Sequence, residues 1–260
     1  MQRLKKFVQE WNNGGLLKSH FDPEVLQWYG EEMERCLKRQ FTTERHEDHT
    51  GLRMSQLGKP AVLLSAEKLC LDAPEIKPRY AMQYTFLTGD FFEQTLICLL
   101  HQYGCQIDSM QEELTFKGVK GHIDFCADDV LVEAKTMSGH YWKSFTQEPD
   151  DDRGYVTQLH LYQQCMQQKD AVWLCVNKWT SELALVELVW DDVYIQRAEQ
   201  IIRDYKRIKT FNDIKKYFSV PDLIPVNTRK NKIPPTMKWS GMNHLFYNFD
   251  SRGNPISTKF

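Results

Sequence analysis

Apolar positions recur along this chain with two periods, and the changes between them mark out its elements. Residues 1–40 have helical spacing and predict two helices. They are parted by Asn12-Asn13-Gly14-Gly15 and a Phe21-Asp22-Pro23 turn, with Pro23 at a first helical position ahead of Val25, Leu26, Tyr29 and Met33. Residues 41–60 are polar, and residues 61–80 are mixed and end in the basic Lys77-Pro78-Arg79. Residues 90–103 predict a helix stopped by Gly104. Residues 115–126 and 130–137 alternate as strands do, with a polar break at Asp128-Asp129. A long acidic loop is expected over 138–154 and a helix over 155–168. Strands are expected over 171–177 and 182–189, and a helix over 191–208 behind an Asp191-Asp192 cap. Beyond 218 the chain carries Pro, Lys, Arg and Asn and predicts no definite element.

Composition narrows the function classes. The 260 residues are 42% hydrophobic and 26% charged, enough for a sizeable core. The formal net charge of -2 excludes a chain that is basic throughout, so contact with a nucleic acid has to come from local patches. The opening MQRLKKFVQEW lacks the apolar stretch of a signal peptide, and no run approaches the roughly 18–20 apolar residues of a membrane span. The seven cysteines (Cys36, Cys70, Cys98, Cys105, Cys126, Cys165 and Cys175) are odd in number and include no CxxC. That pattern points to buried reduced thiols and a cytoplasmic setting, not to a disulfide framework, a zinc site or an iron–sulfur cluster.

The chemistry concentrates in GHIDFCADDVLVEAKT, residues 121–136. With Asp128 and Asp129 as a two-residue turn, Ala127 faces Val130, Cys126 faces Leu131, Phe125 faces Val132 and Asp124 faces Glu133. Opposed residues hold their Cβ atoms roughly 4.5–5.5 Å apart on one face. Side chains alternate, so Lys135 shares that face, while Ile123, Phe125, Val132 and Ala134 fill the other. Two carboxylates this close are costly without a cation between them. Hard oxygen ligands at such spacing suit Mg2+, which takes one or two carboxylates together with waters and substrate phosphates. Lys135 then stabilises developing negative charge or orients the attacking water. The competing reading is a surface hairpin whose Asp, Glu and Lys are solvated, where such charge pairs contribute little.

The pattern Asp124…Glu133-Ala134-Lys135 resembles the PD-(D/E)xK nuclease motif, with Ile123 where a Pro is usual. LTGDFFEQTL (87–96) is similar to the helix that supplies a metal-binding Glu, here Glu93, in the RecB-like and phage exonuclease branch. GYVTQLHLYQQC (154–165) resembles that branch's Gln-x-x-x-Tyr helix, with Gln158 and Tyr162, and VNKWTSEL (176–183), which holds Lys178, resembles the strand-turn-strand that follows. The resemblance covers roughly residues 85–190 in the right order.

It implies an α/β restriction-endonuclease-like core, a mixed central sheet flanked by helices, with a helical N-terminal and an irregular C-terminal addition. The expected division is a substrate-end-binding region at 1–80, the nuclease core at 81–190, and a C-terminal helix and basic tail at 191–260. It also implies hydrolysis of DNA phosphodiesters with Mg2+, or Mn2+ in its place, held by Glu93, Asp124, Glu133 and the carbonyl of Ala134. Lys135, Gln158 and Tyr162 complete the catalytic set. No cysteine follows Cys175, so the iron–sulfur cluster of some relatives is not carried over.

Other positions carry two readings each. Glu93 is also placed to be the N3 residue of a capping box begun by Asp90, and Tyr162 is also a core residue. His122, two residues before Asp124, is either a phosphate contact or structural filling. His140 and Lys143 follow the active strand as DNA contacts or as a solvated loop. Arg53 and Ser55, in the segment Arg53–Gly58, resemble the substrate-end contacts of phage recombination exonucleases; an ordinary surface Arg is the alternative. His46 and His49 have one turn's spacing, which a polar loop explains as well as a metal does. Basic groups at Lys77-Pro78-Arg79, Lys206-Arg207, Lys209, Lys215-Lys216, Arg229-Lys230, Lys232 and Lys238 suit a phosphate-tracking groove or solvated faces.

The expected function is thus a metal-dependent DNA nuclease, foremost a phage-type exonuclease of DNA recombination or processing, acting in the cytoplasm (of the host, if viral). Its expected partner is DNA, as double-stranded ends or single strands, with room for a homo-oligomer and a single-strand annealing or binding protein, and no membrane. Two alternatives stay open: a structure-specific endonuclease, and an inactive nuclease fold that only binds DNA.

Overall fold

The hairpin predicted by the alternation is present in its predicted register. In this computed structural model, which describes residues 1–15, 21–41, 51–69, 80–151, 153–217, 247–249 and 255–258, β4 (Phe125–Ala127) pairs antiparallel with β5 (Val130–Met137). Phe125 lies opposite Val132, Cys126 opposite Leu131 and Ala127 opposite Val130. Asp128 and Asp129 turn the chain with φ of 49° and 62°. That left-handed pair is what a two-residue turn between right-twisted strands requires. Asp128 is held there by its side chain, which accepts from the Gln106 amide at 2.9 Å and from Arg3 at 2.8 Å.

Around this hairpin a five-stranded mixed sheet forms in the order β1-β4-β5-β6-β7, with β1 at Ile107–Asp108, β6 at Ala171–Asn177 and β7 at Leu183–Glu187. β5 and β6 run parallel and the other pairs antiparallel. A parallel pair needs a crossover. Here it contains α5 (Gly139–Gln147) and α6 (Tyr155–Met166). On one face of the sheet α1 (Gln2–Asn12) and α4 (Tyr80–Tyr103) seat Leu4, Phe7, Leu96, Ile97 and Leu100 against Phe125, Val132, Val172 and Leu174. On the other, Phe145 of α5 meets Trp173 edge to face at 5.3 Å between ring centres. The inner strands are therefore covered on both faces, which is why β6 reads as an unbroken apolar run. This is the mixed sheet flanked by helices expected of a restriction-endonuclease-like core.

Three local expectations are corrected, and one segment without an expected element gains a helix. Residues 115–126 are not one strand: β2 (Glu113–Phe116) and β3 (Val119–His122) form a separate hairpin around Lys117-Gly118, whose φ values are 49° and 82°. The loop expected after β5 contains α5. Residues 61–69 form a helix, α3 (Ala61–Leu69). The helix expected from residue 90 begins ten residues earlier, at Tyr80. It still ends at Gly104, whose φ is 98° and whose neighbour Cys105 donates back to the Leu100 carbonyl.

The chain divides into two units. The first gathers 1–51, 78–149 and 159–190 and holds the five-stranded sheet, as well as α2 (Pro23–Phe41), which packs on α4. The second gathers 52–77, 150–158 and 191–260. In it α3 packs on α7 (Asp192–Arg207) and α8 (Phe211–Tyr217), and the ammonium of Lys68 donates to the Tyr205 and Ile208 carbonyls at 3.3 and 3.1 Å. The Asp191 cap forms as expected, accepting from the Val193 amide at 3.0 Å. A short antiparallel pair, β8 (Tyr247–Phe249) and β9 (Pro255–Thr258), lies in the C-terminal segment. Among the described residues no helix is long and apolar enough to cross a membrane.

Candidate active site

Glu133 stands in the middle of a strand that the core covers, and that is what makes it unusual. Its residue is 1% exposed. Strand alternation puts Lys135 beside it, and the Lys135 ammonium donates to Glu133 Oε1 at 2.5 Å. The other oxygen, Oε2, is buried without a hydrogen-bond partner. A buried carboxylate oxygen with no donor costs free energy, on the order of 1–3 kcal/mol for an unsatisfied group and more when charged.

Asp124 ends the approach to β4, one residue before the Phe125–Val132 pair, and so lies level with Glu133. Its Oδ2 accepts from the Ala134 amide at 2.7 Å. Ala134 was expected through its carbonyl; its N–H also serves by fixing Asp124. Burial, then the charges of Glu133 and Glu93, raise the Asp124 carboxyl well above the usual range, with Lys135 and the Ala134 amide opposing. Glu93, on α4, is pushed up to about 7, first by burial, with the Gln111 hydrogen bond opposing and Asp90 and Glu133 adding to the rise.

The structure therefore brings Glu93, Asp124, Glu133, Ala134 and Lys135 to one place. It also removes the rival account of Glu93. A capping box needs Asp90 at a helix start, and α4 begins at Tyr80. Asp90 instead accepts from Gln40 at 2.6 Å and pairs with Arg39 at 2.9 Å, both on α2.

Sequence reasoning missed Gln111. Its side chain donates to Glu93 Oε1 at 2.7 Å, and its backbone amide donates to the Asp124 carbonyl at 3.1 Å. One residue thus ties the helix acid to the strand acid. Its φ of 53° gave no sequence signal, since Gln carries no preference for that region.

Among the described residues, no group of three or more His, Cys, Asp or Glu side chains closes around a point as a ready coordination shell. Each acid here has a neighbour of its own: Gln111 on Glu93, the Ala134 amide on Asp124, Lys135 on Glu133. A hard cation needs less than a closed shell, because Mg2+ binds through one or two carboxylates and keeps several waters. The unpartnered Glu133 Oε2 and the raised Asp124 carboxyl fit such an ion.

The chain is similar to a phage related exonuclease from Haemophilus somnus 129PT, at 13% identity and a TM-score of 0.48 over 62% of this chain and 93% of that one. It is also similar to an alkaline exonuclease from Laribacter hongkongensis, at 13% identity and a TM-score of 0.44 over 73% of this chain and 92% of that one. No protein-family model and no curated protein matches the sequence.

The remaining expected residues lie as follows. Gln158 and Tyr162 are both buried on α6, a helix whose Thr157, Leu159, His160 and Leu161 are buried as well, so both are packed side chains. His122 is exposed on the separate β2–β3 sheet, with Nε2 3.7 Å from Glu113; it does not continue the face of Asp124, because the chain changes sheets between His122 and Phe125. His140 and Lys143 are exposed on α5, and Lys178 is exposed just past β6. Arg53 and Ser55 are exposed in the second unit, at a single 3-10 turn where the Arg53 amide donates to Gln56 Oε1 at 3.0 Å. His46, His49, Lys77, Arg79, Arg229, Lys230, Lys232 and Lys238 lie outside the described residues.

Cys36, Cys98, Cys105, Cys126, Cys165 and Cys175 are free thiols, all but Cys165 buried. Burial pushes Cys175, opposite Lys135 across the β5–β6 pair, up to about 12, so it is an unreactive thiol.

Proposed function

We propose that this chain is a metal-dependent nuclease that hydrolyses DNA phosphodiesters, with Asp124 and Glu133 as the acidic ligands and Glu93 as a third acid beside them. One observation carries the reading: a carboxylate sealed in the sheet, with one oxygen on Lys135 and the other unpartnered, set level with a second carboxylate. A solvated surface pair has neither feature.

Each residue then has a task. Asp124, oriented by the Ala134 amide, and Glu133 present oxygens to one side of the scissile phosphate, and the Ala134 carbonyl adds a neutral donor. Bound there, Mg2+ or Mn2+ supplies charge neutralisation at the leaving oxygen and acidifies a water. The Lys135 ammonium, anchored on Glu133, stabilises the charge that grows on the phosphoryl oxygens and orients the incoming water. Glu93 is tied to Asp124 through Gln111 and holds the edge of the site. Tyr162 supports it from α6, and His140, Lys143 and Lys178 contact the DNA; in the second unit Gln158, Arg53 and Ser55 are read separately as DNA-binding residues. We further read the activity as exonucleolytic, in DNA recombination or processing.

The test is nucleotide release from a linear duplex, a single strand and a covalently closed circle. Wild type is expected to release nucleotides with Mg2+ or Mn2+ and to stop in chelator. Asp124→Ala and Lys135→Ala are each expected to lose at least about 100-fold in rate. Equal rates in all three proteins would overturn the site. Opening of the closed circle would replace the exonuclease with an endonuclease.

A further inference from the structure

Tryptophan is the side chain with most to gain from burial, yet Trp179 is 66% exposed, whereas Trp173 in the same unit is 1% exposed. Trp179 is nonetheless held in place. Its amide donates to the Asn177 side chain at 3.0 Å, and Asn177 is itself buried, donating its own amide to the Glu182 carbonyl at 2.9 Å. The Ser181 amide returns to Asn177 at 2.8 Å, and the Ser181 carbonyl accepts from the Trp11 indole at 2.8 Å.

The indole rests on bare backbone. A Cβ placed on Gly139 would lie 2.3 Å from its Cε3, so the contact exists because residue 139 is glycine. On its flank the His140 ring stands edge-on, 5.7 Å between centres at 80°. Lys178 and Lys143, both exposed, are respectively the residue before Trp179 and the residue three after His140.

This cluster occupies the carboxyl ends of the two parallel strands. The Lys178 amide donates to the Met137 carbonyl at 2.9 Å, and Met137 follows Lys135 by two residues, about 7 Å of strand. An aromatic face fixed before binding, with one exposed lysine next to it in the chain and another a turn along α5 from Gly139, matches the chemistry of an unpaired nucleobase with its backbone phosphates: the π-face stacks and the ammoniums track the charge. A double helix offers no such face, because its bases are already stacked on one another.

We propose that Trp179 is a stacking platform for an unpaired base of a single DNA strand, with Gly139 and His140 setting its orientation and Lys178 and Lys143 on the adjoining phosphates. Its placement next to the scissile position rests on the nuclease reading above; the binding itself does not.

The experiment uses the full chain in chelator, where no cutting interferes. Anisotropy of a labelled thymidine strand of about 15 nucleotides is compared with that of an equally charged abasic strand, for wild type, Trp179→Ala and Trp179→Phe. Trp179→Ala is expected to weaken binding of the thymidine strand roughly 5- to 100-fold. Trp179→Phe should largely restore it, and the abasic strand should bind wild type and Trp179→Ala alike. Equal affinity of Trp179→Ala and wild type for the thymidine strand would overturn the platform. So would an equal loss on the abasic strand, which would mark a charge or folding effect. A wild type that shows this base-dependent binding but cuts nothing with Mg2+ would leave the platform standing and remove the nuclease reading.

Discussion

Two hairpins in this molecule are built alike and end in opposite chemistry. Each turns through two residues of positive φ, Lys117-Gly118 in one and Asp128-Asp129 in the other. Each sets an acid on one strand level with charged groups on the other. In the β2–β3 hairpin Glu113 pairs with Lys120 at 2.8 Å and lies 3.7 Å from His122, all in solvent. The hydrogen bond from Lys120 holds Glu113 below the usual carboxylate range. In the β4–β5 hairpin the half-buried Asp124 lies level with the buried Glu133, and Asp124 is driven up. The difference is not in the residue types but in what covers them. Water screens the first set and leaves a pair of little consequence. The sheet strips water from the second and leaves an acid pair with an unmet demand for positive charge.

The largest effect expected from this contrast is a response to divalent cation that only the covered hairpin governs. At a Mg2+ concentration about 100 times its dissociation constant, an ion held by the native state alone adds roughly 2.7 kcal/mol, a shift of several degrees in Tm for a chain of this size. Asp124→Asn and Glu133→Gln are expected to lose most of that shift, and Glu113→Gln to keep all of it. Thermal melting with and without Mg2+ decides the matter. A wild type indifferent to Mg2+, or a Glu113→Gln that also loses the response, would erase the distinction between the hairpins.

A second effect concerns acidity without metal. Glu93 titrates at about 7 in the fold against an ordinary 4.5. Between these values the native protein holds more protons than the unfolded chain, so this group makes stability fall as pH rises from about 4.5 to about 7. Below that window its contribution is neutral, and above it the full cost is present, a few kcal/mol at most. Glu93→Gln keeps an oxygen for Gln111 and removes the charge. In chelator it is expected to be more stable than wild type at pH 8 by about 1–3 kcal/mol, with the two converging near pH 4.5. Urea melts across that range check it; parallel curves for the two proteins would show that Glu93 is not strained.

How much of this was legible follows from the same physics. The β4–β5 register was readable because a period of two ran up to and away from a single polar break, even though Asp-Asp is not the preferred turn pair. The long reach of α4 was not: Thr88-Gly89-Asp90 looks like a helix start, and only the bonds from Arg39 and Gln40 to Asp90 show why the helix runs through it. The β2–β3 hairpin was hidden because alternation continues from Thr115 to Phe125 across a change of sheet. α5 was hidden because its polar sequence buries a single side chain, Phe145. Glu133 could be placed on its strand, but its unpartnered oxygen depends on what covers the sheet, and Gln111 depends on a loop conformation that no local pattern encodes.

The smallest expected effect lies in the turns themselves, and it separates the hairpins once more. Asp129 is exposed at φ 62°, where glycine relieves backbone crowding. Asp129→Gly should therefore gain about 0.5 kcal/mol despite its entropy cost, in line with the Asp-Gly preference of such turns. Lys117→Asn should gain about as much in the other hairpin, making the favoured Asn-Gly pair with Gly118. Asp128→Gly has the same backbone reason to help but should instead lose about 1 kcal/mol or more, because it deletes the carboxylate that binds the Gln106 amide and Arg3. Melting temperatures of the three variants give the order. If Asp128→Gly were as stabilising as Asp129→Gly, the covered turn would be held by its backbone alone, and the anchoring that fixes Asp124 level with Glu133 would have to come from the sheet.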